Sequence, residues 1–113
     1  MHELSICEGI VQLLQEQAAH QHFSQVKTVW LEIGQLAGIE PEALLFSFDA
    51  AAKGTLAEGA KLKIIEVPGR AWCLFCAKPV AVSQRYDACP ECGSYQLQVT
   101  GGEELRVKEL EVN

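Results

Sequence analysis

Leu4, Cys7, Val11, Leu14 and Ala18 fall at alternating steps of three and four residues, which predicts an amphipathic helix from about residue 4 to residue 20. Gln12, Gln15, Glu16 and Gln17 form its solvated side, and Gly9 weakens it slightly. Val29, Leu31 and Ile33 alternate with Thr28, Trp30 and Glu32, the period of a strand with one buried face, ending at Gly34. Pro41 suits the first turn of a second helix, about three turns long, whose apolar face is Leu44, Leu45, Phe48, Ala51 and Ala52. Gly54 can close that helix in a left-handed cap. Leu62 to Val67 reads as another strand, stopped by Pro68 and Gly69.

From Trp72 to about Thr100 the pattern changes to cysteine pairs, short β-prone runs at Val80 to Ser83 and Tyr95 to Val99, and little apolar mass. Beyond Gly101 and Gly102, Glu104 to Val112 is again strand-like. A lone two-stranded sheet is marginal in water, so this last strand is expected to return to the main sheet. The predicted class is α+β: a small sheet covered by two helices, with an inserted four-cysteine zinc-ribbon-like module. Residues 1–70 plus 101–113 form the α+β domain and residues 71–100 the inserted module.

Length adds one domain's worth of chain, 113 residues, of which 49% are hydrophobic, enough for a real core but small enough that part of the fold needs a staple. Nine basic against fifteen acidic side chains give a formal charge of -6, which repels phosphate backbones and anionic lipid heads at long range, so nucleic acid is a disfavoured partner and neither it nor a membrane is expected. The first thirty residues carry Glu3, Glu8 and Glu16 and no long apolar run, so neither a secretory signal nor a membrane span is expected. The expected location is cytoplasmic. In a reducing compartment paired cysteines serve metal more often than disulfides, and the fifth, Cys7, fits a free buried thiol.

Cys73-Leu-Phe-Cys76 and Cys89-Pro-Glu-Cys92-Gly93 each place two thiolates on a tight turn, and two such turns complete a tetrahedral shell. The twelve residues between the pairs are fewer than the commonest spacing of roughly 15–20 but suffice for a short hairpin. Zinc in a structural role is the first reading; iron in a rubredoxin-like shell and disulfides are the rivals. Four thiolates leave no open position for a Lewis-acid water, and two pairs in a loop-rich segment do not suit thioredoxin-like redox work. A ribbon that docks protein or nucleic acid without moving metal is the alternative function. Between Arg70 and Cys92, however, only Arg70, Lys78 and Arg85 stand against Asp87 and Glu91, so there is no basic stripe.

At the other end, Met1-His2-Glu3 sets a terminal amine, an amide nitrogen and an imidazole close together along the backbone. Amine and amide close a five-membered chelate ring and amide and imidazole a six-membered one, a planar nitrogen set that suits nickel(II) or copper(II) better than zinc. The alternative for His2 is a solvated terminal residue with no partner. His20 and His22 are explained by the polar end of a helix. Glu40, Glu42, Glu103 and Glu104 lie beside expected caps and turns, where solvated negative charge is the default. No serine, histidine and aspartate set suggests a nucleophilic triad.

The opening Met1-His2-Glu3-Leu4-Ser5, the stretch Val29-Trp30-Leu31-Glu32-Ile33-Gly34 and the two cysteine pairs, in this order and spacing, together resemble the HypA/HybF family of hydrogenase nickel-insertion proteins over essentially the whole chain. The resemblance implies nickel held at the amino terminus by His2, with Glu3 assisting beside the Met1 amine, and zinc held by Cys73, Cys76, Cys89 and Cys92. It implies a metallochaperone, not an enzyme. Such a protein delivers nickel to the large subunit of nickel-iron hydrogenase together with a nickel-binding GTPase, and some family members also supply urease through its maturation factors. Several relatives carry histidines just after the cysteine pairs, whereas Ala77 and Gly93 stand here, so the resemblance does not extend to a histidine-linked switch at the zinc site.

Overall fold

The computed structural model describes residues 2–113. The first helix, α1, spans Glu3–Gln21 and buries Cys7, Ile10, Val11 and Leu14, while Leu4 remains half exposed, so the buried stripe is shorter than the periodicity suggests. Its end is a left-handed residue, His22 at φ 59°, whose N–H donates to the Ala18 carbonyl at 2.9 Å. Strand β1, Val26–Gly34, starts before the expected alternation and breaks it, because Thr28 is buried beside Val26, Val29, Leu31 and Ile33. That buried hydroxyl is tolerated because it donates to Glu111 Oε1 at 2.7 Å.

Helix α2 spans Pro41–Ala52, with Leu44, Phe48 and Ala52 buried at steps of four. Leu45, expected on that face, is exposed. The helix ends at Lys53, and Gly54 at φ 74° turns the chain away while its N–H donates to Glu58 Oε1 at 2.7 Å. The two helices lie against each other. Glu40 N–H donates to Glu3 Oε2 at 3.4 Å and the Cys7 thiol approaches the Leu44 carbonyl at 3.4 Å, both pairs 37 residues apart. A constant separation means that α1 and α2 run parallel with their amino ends adjacent.

Among the described residues, six strands form two three-stranded sheets. In the first, β2 (Lys61–Val67), β1 and β6 (Leu105–Val112) stand in the order β2-β1-β6, so the last strand does return to the first. In the second, β3 (Arg70–Cys73) is central and antiparallel to both β4 (Lys78–Ala81) and β5 (Leu97–Gly101), with Cys73 opposite Lys78 on one side and Leu97 on the other. Both short strands are displaced from their expected positions for local reasons. Strand β4 stops at Ala81 because the Asp87 carboxylate captures the Ser83 hydroxyl at 3.0 Å and the Gln84 N–H at 3.0 Å, which folds the next residues into a loop. Strand β5 starts only at Leu97 because a tight turn precedes it, with Leu97 N–H donating to the Tyr95 carbonyl at 3.0 Å.

By contacts the chain divides into two compact units: Met1–Leu31, Ile39–Ile64 and Val107–Asn113 in one, Glu32–Gly38 and Ile65–Arg106 in the other. The first, the helical unit, buries large side chains: Phe48, Leu14, Leu31, Leu44, Val26, Val29 and Cys7 are all essentially inaccessible. The second has a smaller core of Leu36, Ala71, Val80 and Val82 with Cys73 and Cys89 among them. Within this second unit three glycines pack backbone to backbone. A Cβ on Gly34 would sit 2.0 Å from the Gly102 carbonyl oxygen, and one on Gly102, already at φ 94°, would sit 2.5 Å from Gly69 Cα.

Candidate metal centre

The four cysteines come together at one end of the second sheet. Cys73 is the last residue of β3, and the chain from Leu74 to Ala77 is the turn into β4. Cys89 and Cys92 lie on the loop before β5. The two turns have one construction: Ala77 N–H donates to the Cys73 carbonyl at 2.8 Å, and Gly93 N–H donates to the Cys89 carbonyl at 2.9 Å. Each closing residue is left-handed, Ala77 at φ 54° and Gly93 at φ 76°. Backbone amides also point at the sulfurs, Cys76 N–H at Cys73 Sγ (3.3 Å) and Glu91 N–H at Cys89 Sγ (3.4 Å), and the second of these favours the thiolate of Cys89.

The sulfur positions fit one ion. All four lie within 4.8 Å of one another, with Cys73 and Cys92 at 3.7 Å and Cys76 and Cys89 at 4.0 Å. A zinc–sulfur bond of about 2.3 Å in a tetrahedron requires sulfur pairs about 3.8 Å apart. All five cysteines of the chain are free thiols, so the disulfide alternative has no support in this arrangement. Cys73 and Cys89 are buried, Cys76 is partly so and Cys92 is exposed, which places the centre at the surface edge of the small core.

The protonation of the cluster shows why it wants a cation. Hydrogen bonding to the Cys92 thiol, then burial, pushes Cys76 up to about 12. Cys89 is drawn down to about 7 although burial opposes it, because the Glu91 and Cys92 backbone groups stabilise its charge. So many sulfurs at this separation cannot all ionise without a positive ion between them. The four cysteines are thus positioned to hold a structural metal ion such as zinc. Lys78 and Glu91 join the two turns across the centre with a 2.5 Å ion pair, too exposed to contribute much.

The same unit offers little to a phosphate backbone. Of its cations, Lys78 is paired with Glu91, Arg85 with Glu103 and Arg106 with Glu32, which leaves Arg70. Glu103 is therefore ion-paired rather than simply solvated. Glu104 caps a turn by accepting the Gly102 N–H at 2.7 Å.

At the amino end, His2 is the exposed residue that starts α1, with no side-chain cap hydrogen bond, while its carbonyl accepts the Ile6 N–H at 3.2 Å. Glu3 is the first helical residue. Its carboxyl is held below the usual value mainly by its own backbone N–H, against some desolvation, with help from the Glu40 N–H. Met1 lies outside the described residues. Glu40 is the residue before α2, and no local pattern signals that it approaches Glu3; only the shared register of two helices shows it. Cys7 is a buried thiol remote in sequence from the four-cysteine set and takes no part in it. His20 and His22 are exposed at the far end of α1.

A family model described as hydrogenase/urease nickel incorporation, metallochaperone, HypA, matches residues 1–112. The chain is 70% identical over 112 residues to the hydrogenase maturation factor HypA of Azotobacter chroococcum mcd 1, covering 99% of each chain, and 66% identical to that of Azotobacter vinelandii over the same length and coverage. The HypA of Alkalilimnicola ehrlichii is 59% identical over 113 residues, the whole of both chains. In fold, the chain is similar to the solution structure of the nickel metallochaperone HypA from Helicobacter pylori, with a TM-score of 0.71 and 24% identity over 99% of this chain and 97% of that one. With a metal-ready four-cysteine centre in an α+β fold and relatives matched from end to end, the chain belongs to the HypA family of hydrogenase maturation factors, nickel metallochaperones rather than enzymes.

Proposed function

We propose that the chain binds nickel(II) at its amino terminus and delivers it to the large subunit of nickel-iron hydrogenase in the cytoplasm, with a nickel-binding GTPase as partner. The ligands are His2 through imidazole and amide, Met1 through its terminal amine, and Glu3 as an assisting donor. Zinc occupies Cys73, Cys76, Cys89 and Cys92 as a structural ion. Urease, through its maturation factors, is a second client of the same chemistry.

The observation that carries this reading is the exposure of His2 at the start of α1 with its side chain free of any capping bond. An imidazole that the fold does not use is available to a cargo ion, and an exposed chelate can exchange ligands from its open face. The parallel arrangement adds electrostatics. The amino ends of α1 and α2 both direct partial positive charge to this corner, which favours loss of the amide proton that a planar chelate requires and opposes overly tight cation retention. Protons compete with the metal at amine, amide and imidazole, so nickel retention falls as pH drops. The four thiolates saturate a tetrahedral ion and leave it no open position, a separate task from carriage.

Two changes test the site on protein with an unmodified terminus. His2→Ala removes the imidazole, and a short amino-terminal extension converts the amine into an amide while keeping His2. Both are expected to weaken nickel binding in a titration while zinc content stays constant. Nickel binding like that of the parent in both variants places the cargo site elsewhere, and a joint loss of nickel and zinc points to one shared cysteine site.

A further inference from the structure

Helix α2 carries a second pattern on the side away from its buried Leu44, Phe48 and Ala52. Glu42, Leu45, Phe46 and Asp49 follow at i, i+3, i+4 and i+7, which places them on one face over about 10 Å of helix. All four are exposed, and Phe46 is 79% exposed. The fold has no use for a phenylalanine there, since helix propensity favours alanine, glutamate or lysine at a solvated position. The two apolar side chains are bracketed by carboxylates. Neither α1 nor α2 contains a lysine or arginine, and α1, lying parallel, adds the exposed Glu8 and Glu16.

We propose that this face of α2 docks a partner protein whose matching surface is an apolar groove rimmed by lysines and arginines. The charge decides the occupant. A second copy of the chain, paired stripe to stripe about a two-fold axis, would set Glu42 against Asp49, with Lys53 at the C-cap of α2 as the one cation near the stripe's end, against the two carboxylates that bracket it. Phosphate-bearing surfaces are repelled for the same reason. A basic rim neutralises both carboxylates while Phe46 and Leu45 enter the groove, the arrangement in which an aromatic anchor carries most of the affinity and the rim sets rate and orientation. This surface goes beyond the nickel-delivery reading and does not depend on which metal the amino terminus binds.

The test uses the full-length, isotope-labelled chain and, as probe, a short amphipathic helical peptide with a leucine stripe flanked by lysines and arginines. A scrambled peptide of equal charge is the control. Amide shifts are expected to centre on Glu42 to Asp49. Phe46→Ala and Leu45→Gln, both at exposed positions, should each fold as the parent does by thermal melting and weaken binding by about tenfold or more, whereas Leu13→Ala, at an exposed site on α1, should leave it unchanged. The double change Glu42→Gln and Asp49→Asn should flatten the salt dependence. Equal binding of the scrambled peptide, shifts centred on Glu8 and Glu16, or parent-like affinity of Phe46→Ala would each overturn the proposal. So would a concentration-dependent dimer in sedimentation that Phe46→Ala abolishes, which assigns the face to a second copy.

Discussion

The helical unit and the cysteine-bearing unit solve the same stability problem by different means. In the first, Leu14, Leu31, Leu44 and Phe48 are withdrawn from water, and burial of each such side chain contributes about 1.5–3 kcal/mol. In the second, the core cluster around the sheet has Leu36, Val80, Val82 and Ala71 as its aliphatic members, completed by the metal-ready Cys73 and Cys89. A core that small does not offset the entropy of ordering its loops, so a bound ion takes the place of missing apolar mass. The lesson is that a metal ligand here is also a core residue, and stability and metal content are coupled in one unit and independent in the other.

Breaking the metal shell should give the largest effect. Structural zinc contributes on the order of 10–16 kcal/mol in small folded modules, so Cys89→Ala is expected to abolish zinc retention and hydrogen-exchange protection across β3, β4 and β5. Protection of Cys7 to Leu14 in α1 should persist. The matching blow to the other unit is Leu44→Ala, expected to cost about 2–5 kcal/mol by thermal or urea unfolding with zinc content unchanged. Loss of zinc in that variant would show that the units are not independent.

The glycine contact tests packing in the cysteine-bearing unit without touching a ligand. Gly34→Ala forces a Cβ against the Gly102 carbonyl and should cost about 3 kcal/mol, read as lowered protection near Gly69 and Gly102. A smaller effect belongs to the helical unit and depends on pH. The Cys7 thiol, ordinarily ionising near 9, is raised to about 11 by burial and by the Glu3 charge. Between those values the unfolded chain releases the proton and the folded chain keeps it. The contribution is therefore complete below pH 9 and fades by about 2 kcal/mol as pH rises towards 11. Urea midpoints across that range should show the decline in the parent and lose this component in Cys7→Ala. The smallest change is expected to stabilise: Ala77 holds a left-handed conformation that Gly93 holds in the equivalent turn, so Ala77→Gly should stabilise the metal-loaded form by up to about 1 kcal/mol, read as a raised melting temperature.

The difference between the units also explains what could be read from the chain alone. The helices, β1, β2 and β6 announce themselves by hydrophobic period, because burial against a large core imposes a repeat on the residues that face it. Both cysteine pairs were legible because tetrahedral coordination dictates their spacing. The ends of β4 and β5 were not, since Asp87 and the turn at Tyr95 set them by single hydrogen bonds that leave no periodic trace. Thr28 was misplaced by alternation because its burial depends on Glu111, 83 residues away. The meeting of Glu3 with Glu40 and the contact of Gly34 with Gly102 are likewise products of register between distant segments. Nor does composition reveal that Leu45 faces outward, since a leucine suits either side of a helix boundary.

The separation of cargo from staple is tested most directly by X-ray absorption at both metal edges on full-length protein with an unmodified terminus, purified with zinc and loaded with one equivalent of nickel. The expected result is zinc surrounded by four sulfurs at about 2.3 Å and nickel in a planar shell of nitrogen and oxygen donors. Sulfur in the nickel shell, or zinc with fewer than four sulfurs once nickel is present, would contradict it.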